Sequence, residues 1–447
     1  MREETVRHSF ISMCLVFSLC GVVAGCGGGS GNGGNGGGGG GGENPTTVTL
    51  KVTAATPAAV ATQIGTGSFT AATITSGALT LSVPFGTSNF AVAYACPATT
   101  TNLSGTVYSS VTENVLEAST ADGMSFNLSC AEASNPANPG ILTGSVDATA
   151  IAGADYVGVM AGSGGSSFGY FLSGTTKNFS ESVPAGSDRV AVEAFVYSAA
   201  NQYGAYSVWT LAAVRGFTGV TVPGSVNGGS TVVLGAADAV TMQPITYSNV
   251  PSGYGAPTTI ASYGWSGGGG EWLSNGATNQ YPAVPAAAVQ SGDFYEFISS
   301  VESTSGLPAQ RVTVDTWTTS GGPLAVNFPA AWPYTGPTPA ALPVFSMAYS
   351  GFSGSKNVYD GASINWQSSQ TSNVIRNVDA TANHLGGSTS LAIPDLSALT
   401  GFAAPPASGT LVVWSAEIGE TSFPVLQTNP GNGTASIVET VGTYNTP

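Results

Sequence analysis

Short segments in which apolar and polar residues alternate, cut apart by Gly- and Pro-rich turns, run along the chain beyond residue 45, and helical periodicity is almost absent. A period of two puts successive side chains on opposite faces of a strand, so the pattern predicts an all-β protein. Many short strands at regular spacing point further to β-sandwiches. In the C-terminal part the strand candidates include Arg311–Trp317, Leu324–Phe328, Val344–Tyr349, Thr410–Ala416 and Ser436–Val441. Turns such as Gly336-Pro337-Thr338-Pro339 separate them, and only Pro394–Leu399 reads as one helical turn.

The chain repeats itself. Ser82-Val83-Pro84-Phe85-Gly86 and Ser182-Val183-Pro184-Ala185-Gly186 are each followed by an alternating strand, and Leu79 matches Phe179 at the same offset. Proline suits a strand end where no ladder donor is needed, and glycine is free to take positive φ. Val-Pro-x-Gly before a strand resembles the hairpin of transthyretin-like and other immunoglobulin-like sandwich modules of secreted bacterial proteins. The resemblance covers about 15 residues per copy and implies an architecture, with no activity attached. With the linker Asn135-Pro136-Ala137-Asn138-Pro139-Gly140 as a boundary, the expected units are a sandwich at 45–135, its repeat at 140–243, and a Trp-rich β-region at 244–447 of one or two domains.

The N-terminus carries the parts of a secretory signal: Arg2 and Arg7, an apolar run from Phe10 to Val23, then small residues. Val23-Ala24-Gly25-Cys26 resembles the lipobox of bacterial lipoproteins. That resemblance implies cleavage of residues 1–25 and lipidation of Cys26, which makes the membrane a partner through the lipid. With Gly27 after the cysteine, it also implies an outer-membrane location. The near-pure glycine of residues 27–42 predicts a disordered tether, part of a 26–44 segment, with an r.m.s. reach of about 20–24 Å. Of five cysteines, two leave with the signal and one takes the lipid; Cys96 and Cys130 remain, both on apolar parity, and predict a disulfide.

Charge excludes one partner class. The chain has 24 Asp and Glu against 9 Lys and Arg, a net charge of −15, and no basic cluster, so nucleic acid is not expected. The remaining partner expected is a glycan or protein ligand. No cofactor or metal is expected either: His384 is the only histidine beyond the signal, in a turn-like setting, and a lone histidine cannot build a His-rich zinc site.

Three further patterns bear on chemistry. Gly264-Trp265-Ser266-Gly267-Gly268 satisfies the nucleophile-elbow pattern of α/β-hydrolases, and Ser266 precedes His384 in the matching order. Glycines at 267–270 cannot start the helix an elbow needs. Acids beside aromatics (Glu271 by Trp272, Asp293 and Glu296 around Tyr295, and the pair Glu417 and Glu420) are candidates for a glycosidase carboxylate pair. Tyr254, Tyr263, Trp265, Trp272 and Tyr281 cluster in Gly-rich sequence and are the candidate ligand-stacking aromatics, whereas Trp317 and Trp414 read as core. The function expected is a lipid-anchored envelope protein displaying β-sandwich domains, not an enzyme, in an adhesive, structural or ligand-binding role. The alternatives are a carbohydrate-binding or carbohydrate-active protein using these aromatics and, remotely, a serine hydrolase at Ser266.

Overall fold

The computed structural model describes residues 44–447 except 53–54, 102–105, 129, 131–138, 164–165, 198–208, 267–269, 305–307, 353–356 and 423–431. The signal segment, Cys26, the glycine run and residues 135–138 of the linker lie outside the described residues. The rest is nearly all β, as the alternation predicts. No described helix is long and apolar enough to cross a membrane, which leaves open a crossing by strands.

The first seven strands are β1 (Thr46–Val52), β2 (Ala59–Ile64), β3 (Thr70–Ala71), β4 (Ala78–Val83), β5 (Asn89–Thr101), β6 (Val107–Ser119) and β7 (Ser125–Leu128). Strands β4-β1-β7 form one sheet and β3-β2-β5-β6 lie side by side in another. Their inward parities, among them Leu50, Leu79, Phe90, Val92 and Phe126, form one core. Cys96 and Cys130 are disulfide-bonded, with Cα atoms 5.4 Å apart, and tie β5 to the segment after β7.

The next strands are β8 (Pro139–Asp147), β9 (Tyr156–Ser163), β10 (Ser166–Ser173), β11 (Thr176–Pro184), β12 (Gly186–Tyr197), β13 (Trp209–Val222), β14 (Gly224–Ser225) and β15 (Val232–Val233). They repeat the pairing order: β11-β8-β14, with β15 also on β8, and β10-β9-β12-β13. Even the parallel pairing recurs, in β1 with β7 and in β8 with β14. Phe179 enters the second core as Leu79 enters the first.

The Val-Pro-x-Gly turns are not hairpins. Strand β4 pairs with β1 while β5 pairs with β2 and β6, and likewise β11 pairs with β8 while β12 pairs with β9 and β13. Each turn therefore carries the chain from one layer to the other. Val83 and Val183 are buried at the strand end, the proline supplies no N–H to extend that ladder, and Gly86 turns at φ +80°.

The remainder comprises β16 (Thr241–Ser248), β17 (Thr258–Gly264), β18 (Gly270–Ala277), β19 (Gln280–Ala283), β20 (Phe294–Glu302), β21 (Ala309–Thr318), β22 (Leu324–Asn327), β23 (Val344–Ser346), β24 (Asn357–Ser369), β25 (Ser372–Thr381), α1 (Ala382–Leu385), β26 (Ser390–Ala392), β27 (Leu411–Thr421) and β28 (Gly433–Asn445). The expected turn of helix at Pro394–Leu399 is a run of tight turns instead, closed by Leu399 N–H to Leu396 O at 3.0 Å. A helical turn forms at α1, which Thr381 caps through its side chain and Gly386 ends in the left-handed region.

One sheet runs through all three parts. Its sixteen strands follow the order β10-β9-β12-β13-β18-β17-β20-β21-β28-β27-β24-β25-β6-β5-β2-β3. The joint between β25 and β6 is parallel and unbroken from Ser372↔Ser109 to Ala380↔Glu117. The joint between β13 and β18 rests on one residue pair, Thr210↔Ser274. Alternation then assigns the faces. The largest core takes one parity along the whole sheet, from Ala191 and Phe195 through Phe297, Val312 and Ile364 to Val115 and Ala93. The two smaller cores lie on the opposite face, at the sheet's two ends. Between those ends, the opposite face of the central strands is a floor.

Candidate functional site

The floor carries a row of charges set by register. Glu302 faces Arg311, Arg311 faces Glu439, Glu439 faces Glu417, Glu417 faces Gly361, and Gly361 faces Asp379, each on the next strand from β20 to β25. All share one parity, so they project to one side. Arg311 donates from Nε to Glu302 Oε1 at 2.9 Å. Among the described residues no ion pair reaches Glu439, Glu417 or Asp379.

Glycines shape this floor. A Cβ on Gly361 would lie 2.7 Å from Glu417 Cγ, and one on Gly419 would lie 2.1 Å from the Tyr359 ring. The missing side chains let Glu417 and Tyr359 lie across their neighbouring strands. Asp379 is exposed and Tyr359, Glu417 and Glu439 are half-buried, so the row is reachable from solvent while protein surrounds much of it.

Electrostatics follow from that partial enclosure. Desolvation first, then the charges of Glu439, Asp379 and Asp315, push the Glu417 carboxyl well above the usual carboxylate range. Burial raises Glu439 to about 7, against the opposing pull of Arg311. Desolvation by the protein around it raises Asp379 to about 6, although the residue itself keeps surface open to solvent. The Tyr359 hydroxyl is pushed well up by burial and by Glu417, Asp379, Asp315 and Glu439. Asp315, on the same parity of β21, is 1% exposed, and neither of its oxygens meets a donor. Further along, Glu296 is satisfied: Trp317 Nε1 donates to it at 3.1 Å and Ser262 Oγ at 3.3 Å.

The carboxylate pairs expected from sequence proximity are separated. Glu417 is on the floor, whereas Glu420, three residues on, takes the other parity and is buried. Asp293 and Glu296 part in the same way. Asp293 is buried on the core side, where it accepts Arg189 Nη1 at 2.7 Å, Tyr263 Oη at 2.7 Å, Gln290 N at 2.8 Å and Ser266 N at 3.1 Å. Glu271 is buried there as well, accepting Trp265 Nε1 at 3.1 Å. Its other oxygen has no partner, nor has either oxygen of the fully buried Glu193. Burial and the charge of Glu271 push Glu193 well up, and burial raises Glu271 to about 7.

Most of the aromatic cluster is core. Tyr263, Trp265 and Tyr281 are 1%, 2% and 0% exposed. Tyr263 packs on Tyr295 at 4.9 Å, Tyr281 on Phe297 at 4.5 Å, and the Arg189 guanidinium lies 4.8 Å from the Trp265 ring centroid. They therefore offer no face to a ligand on the surface: Tyr263 lies in β17, Trp265 directly after it and Tyr281 in β19, all with their rings in the core. Tyr254 is half-buried and donates to Gln310 Oε1 at 2.8 Å. Trp272 lies in β18 opposite Ser262, and its side chain is outside the described residues. Trp414 is core, as expected. Trp317 is half-buried on the floor parity, a correction to its expected place.

Ser266 and His384 are far apart. Ser266 follows β17 and His384 sits in α1 after β25, with β20, β21, β28, β27 and β24 between them. His384 is held by the first unit, through Ala118 O at 3.1 Å and Glu117 at 3.6 Å, so the two make no triad. Among the described residues no group of three His, Cys, Asp or Glu side chains converges to hold a metal.

Asp315, Tyr359, Asp379 and Glu439 were not sequence candidates. The available signal was acids and a tyrosine at the parity opposite the Val and Ile positions, beside the strand-interior glycines Gly361 and Gly419. No protein-family model matches this chain, and no curated protein does.

Proposed function

We propose that this chain is a lipid-anchored, non-catalytic protein of the bacterial outer membrane that displays β-sandwich domains on a flexible tether. The observation that carries the reading is the lipobox-like Val23-Ala24-Gly25-Cys26 followed directly by glycine through residue 42. Support for the tandem reading, with units at 45–135, 140–243 and 244–447, comes from the strand order that recurs in β1–β7 and β8–β15. A display role also fits the scattered positions of Ser266, His384 and the sequence-adjacent acids.

Metabolic labelling with a palmitate analogue in a Gram-negative host tests the anchor. The wild-type protein should take up label and fractionate with outer membrane, and Cys26→Ser should do neither. An unlabelled wild type, or a Cys26→Ser protein that stays membrane-bound, overturns it. The carbohydrate-binding alternative rests on Tyr254 and Trp272 once the buried aromatics are set aside. It predicts glycan-array binding that Trp272→Ala abolishes.

A further inference from the structure

Glu439, Glu417 and Asp379 make no ion pair among the described residues. In a chain with only 7% charged residues, Glu439 and Glu417 stand directly opposite each other on adjacent antiparallel strands, where like charges destabilise. Asp379 sits beyond Gly361 on the same row. Arg311, which faces Glu439 on the next strand, is held by Glu302. Asp315 is an independent sign of incompleteness: it is 1% exposed on the same parity, both its oxygens lack a donor, and its charge acts on Glu417 and Tyr359. A buried carboxylate without a donor is costly to keep. Asp315 is left this way on the face that carries Glu439, Glu417 and Asp379, and the four acids together form a site that a positive group would complete.

The shape of the row selects the kind of cation. A divalent metal needs oxygens gathered at about 2.3–2.6 Å around one point, and no such convergence occurs among the described residues. From Glu439 to Asp379 the row crosses three strand intervals, a span of roughly 14 Å. An extended ligand with several separated charges fits this line better than a point charge. Between the acids, Glu417 lies over Gly361 and the Tyr359 ring over Gly419, which leaves the half-buried Tyr359 ring as the surface between the carboxylates. That surface suits methylene groups, and an aromatic face also attracts ammonium.

We propose that the row Glu439, Glu417 and Asp379, on the face that also carries Asp315, binds a linear organic polycation, its ammonium groups against the carboxylates and its methylene chain across the Tyr359 ring. The chemistry is that of alkylammonium groups strung in a line, as in a polyamine or a run of lysine side chains. The inference goes beyond the anchor and stands or falls without it.

Calorimetric titration of the mature full-length chain at low ionic strength tests it, with spermine and a tetralysine peptide as probes and calcium as the competitor. Saturable binding of a probe is expected, weakened about tenfold by Glu417→Gln or Asp379→Asn, each of which removes one charge-assisted contact. Asp395→Asn, which removes an exposed charge away from the row, should leave binding unchanged. Tighter binding of spermine assigns a free polyamine, and tighter binding of tetralysine assigns peptide lysines. Asp379 is exposed, so its variant keeps the fold and the test remains decisive even if Glu417→Gln does not fold. Absence of saturable binding by either probe, equal weakening by Asp395→Asn, or displacement of the probe by micromolar calcium overturns the proposal.

Discussion

Arg376 and Glu113 form a fully buried ion pair, Nε to Oε2 at 2.6 Å, directly opposite each other where β25 joins β6 and 263 residues apart in sequence. Arg376 also donates to Pro394 O at 3.0 Å and Ala403 O at 2.8 Å, and its guanidinium lies 5.6 Å from the Trp366 ring centroid. Glu113 accepts the Ala403 N–H. The pair thus pins the 394–403 segment over the joint between the first unit and the central strands.

Removing one partner strands the other. Arg376→Met should destabilise the protein by about 3–5 kcal/mol, because Glu113 keeps a buried charge with no cation. Arg376→Met with Glu113→Leu should recover part of that loss. Urea unfolding of the two variants checks both; equal losses would show that the ion pair is not the source.

The Cys96–Cys130 bridge closes a loop over a separation of 34 residues. Chain entropy gives it about 3–4 kcal/mol. Cys96→Ala with Cys130→Ala should lower the stability of β1–β7 by that amount and leave signals from the central tryptophans unfolding later. Near-UV circular dichroism during urea unfolding, with and without reductant, separates the two transitions.

Stability should fall as pH rises from about 5 to 8. Desolvation raises Asp379 to about 6 and Glu439, Glu271 and Asp360 to about 7, while in the unfolded chain such groups titrate near 4. The folded state therefore holds more protons over this window. The stabilisation is fully present below the unfolded values and is lost as pH climbs through the folded ones. Thermal unfolding against pH should show the decline, and Glu193→Gln should flatten it by removing one buried carboxyl whose proton the folded state holds. A stability rising over the same window would contradict these environments.

Gly419→Ala should cost about 1–3 kcal/mol, since the added methyl would overlap the Tyr359 ring and force it off the floor. Tyr359→Ala in the same background should relieve most of that cost. A double-mutant cycle by thermal denaturation measures the coupling.

The layers were legible in the sequence and the site was not, for one physical reason. Alternation reveals which parity of a strand is apolar, so Leu79, Phe90, Phe179 and the pairing of Cys96 with Cys130 could be read directly. It says nothing about which strands are neighbours. Acids close in sequence, such as Glu417 and Glu420, leave opposite faces of one strand, whereas Glu417 meets Glu439 and Gly361 only through the sheet order. The aromatic cluster misled for a related reason. Glycine near Tyr263 and Trp265 looked like open loop, but Gly264 ends β17, where a Cβ would strike the Phe294 ring at 2.2 Å. Close packing, not looseness, is what that glycine serves.

The place of β28 in the sheet has a temporal consequence. Residues 433–445 lie between β21 and β27, so a chain emerging from its N-terminus carries two half-sheets until those residues are made. Before that, β6 waits for β25 at residues 372–381, and β21 and β27 then wait for β28 with their edges unpaired. Pairings this distant in sequence form slowly, and waiting edges invite association with other chains. Time spent unfinished, more than final stability, sets the demand this protein places on whatever escorts it during folding.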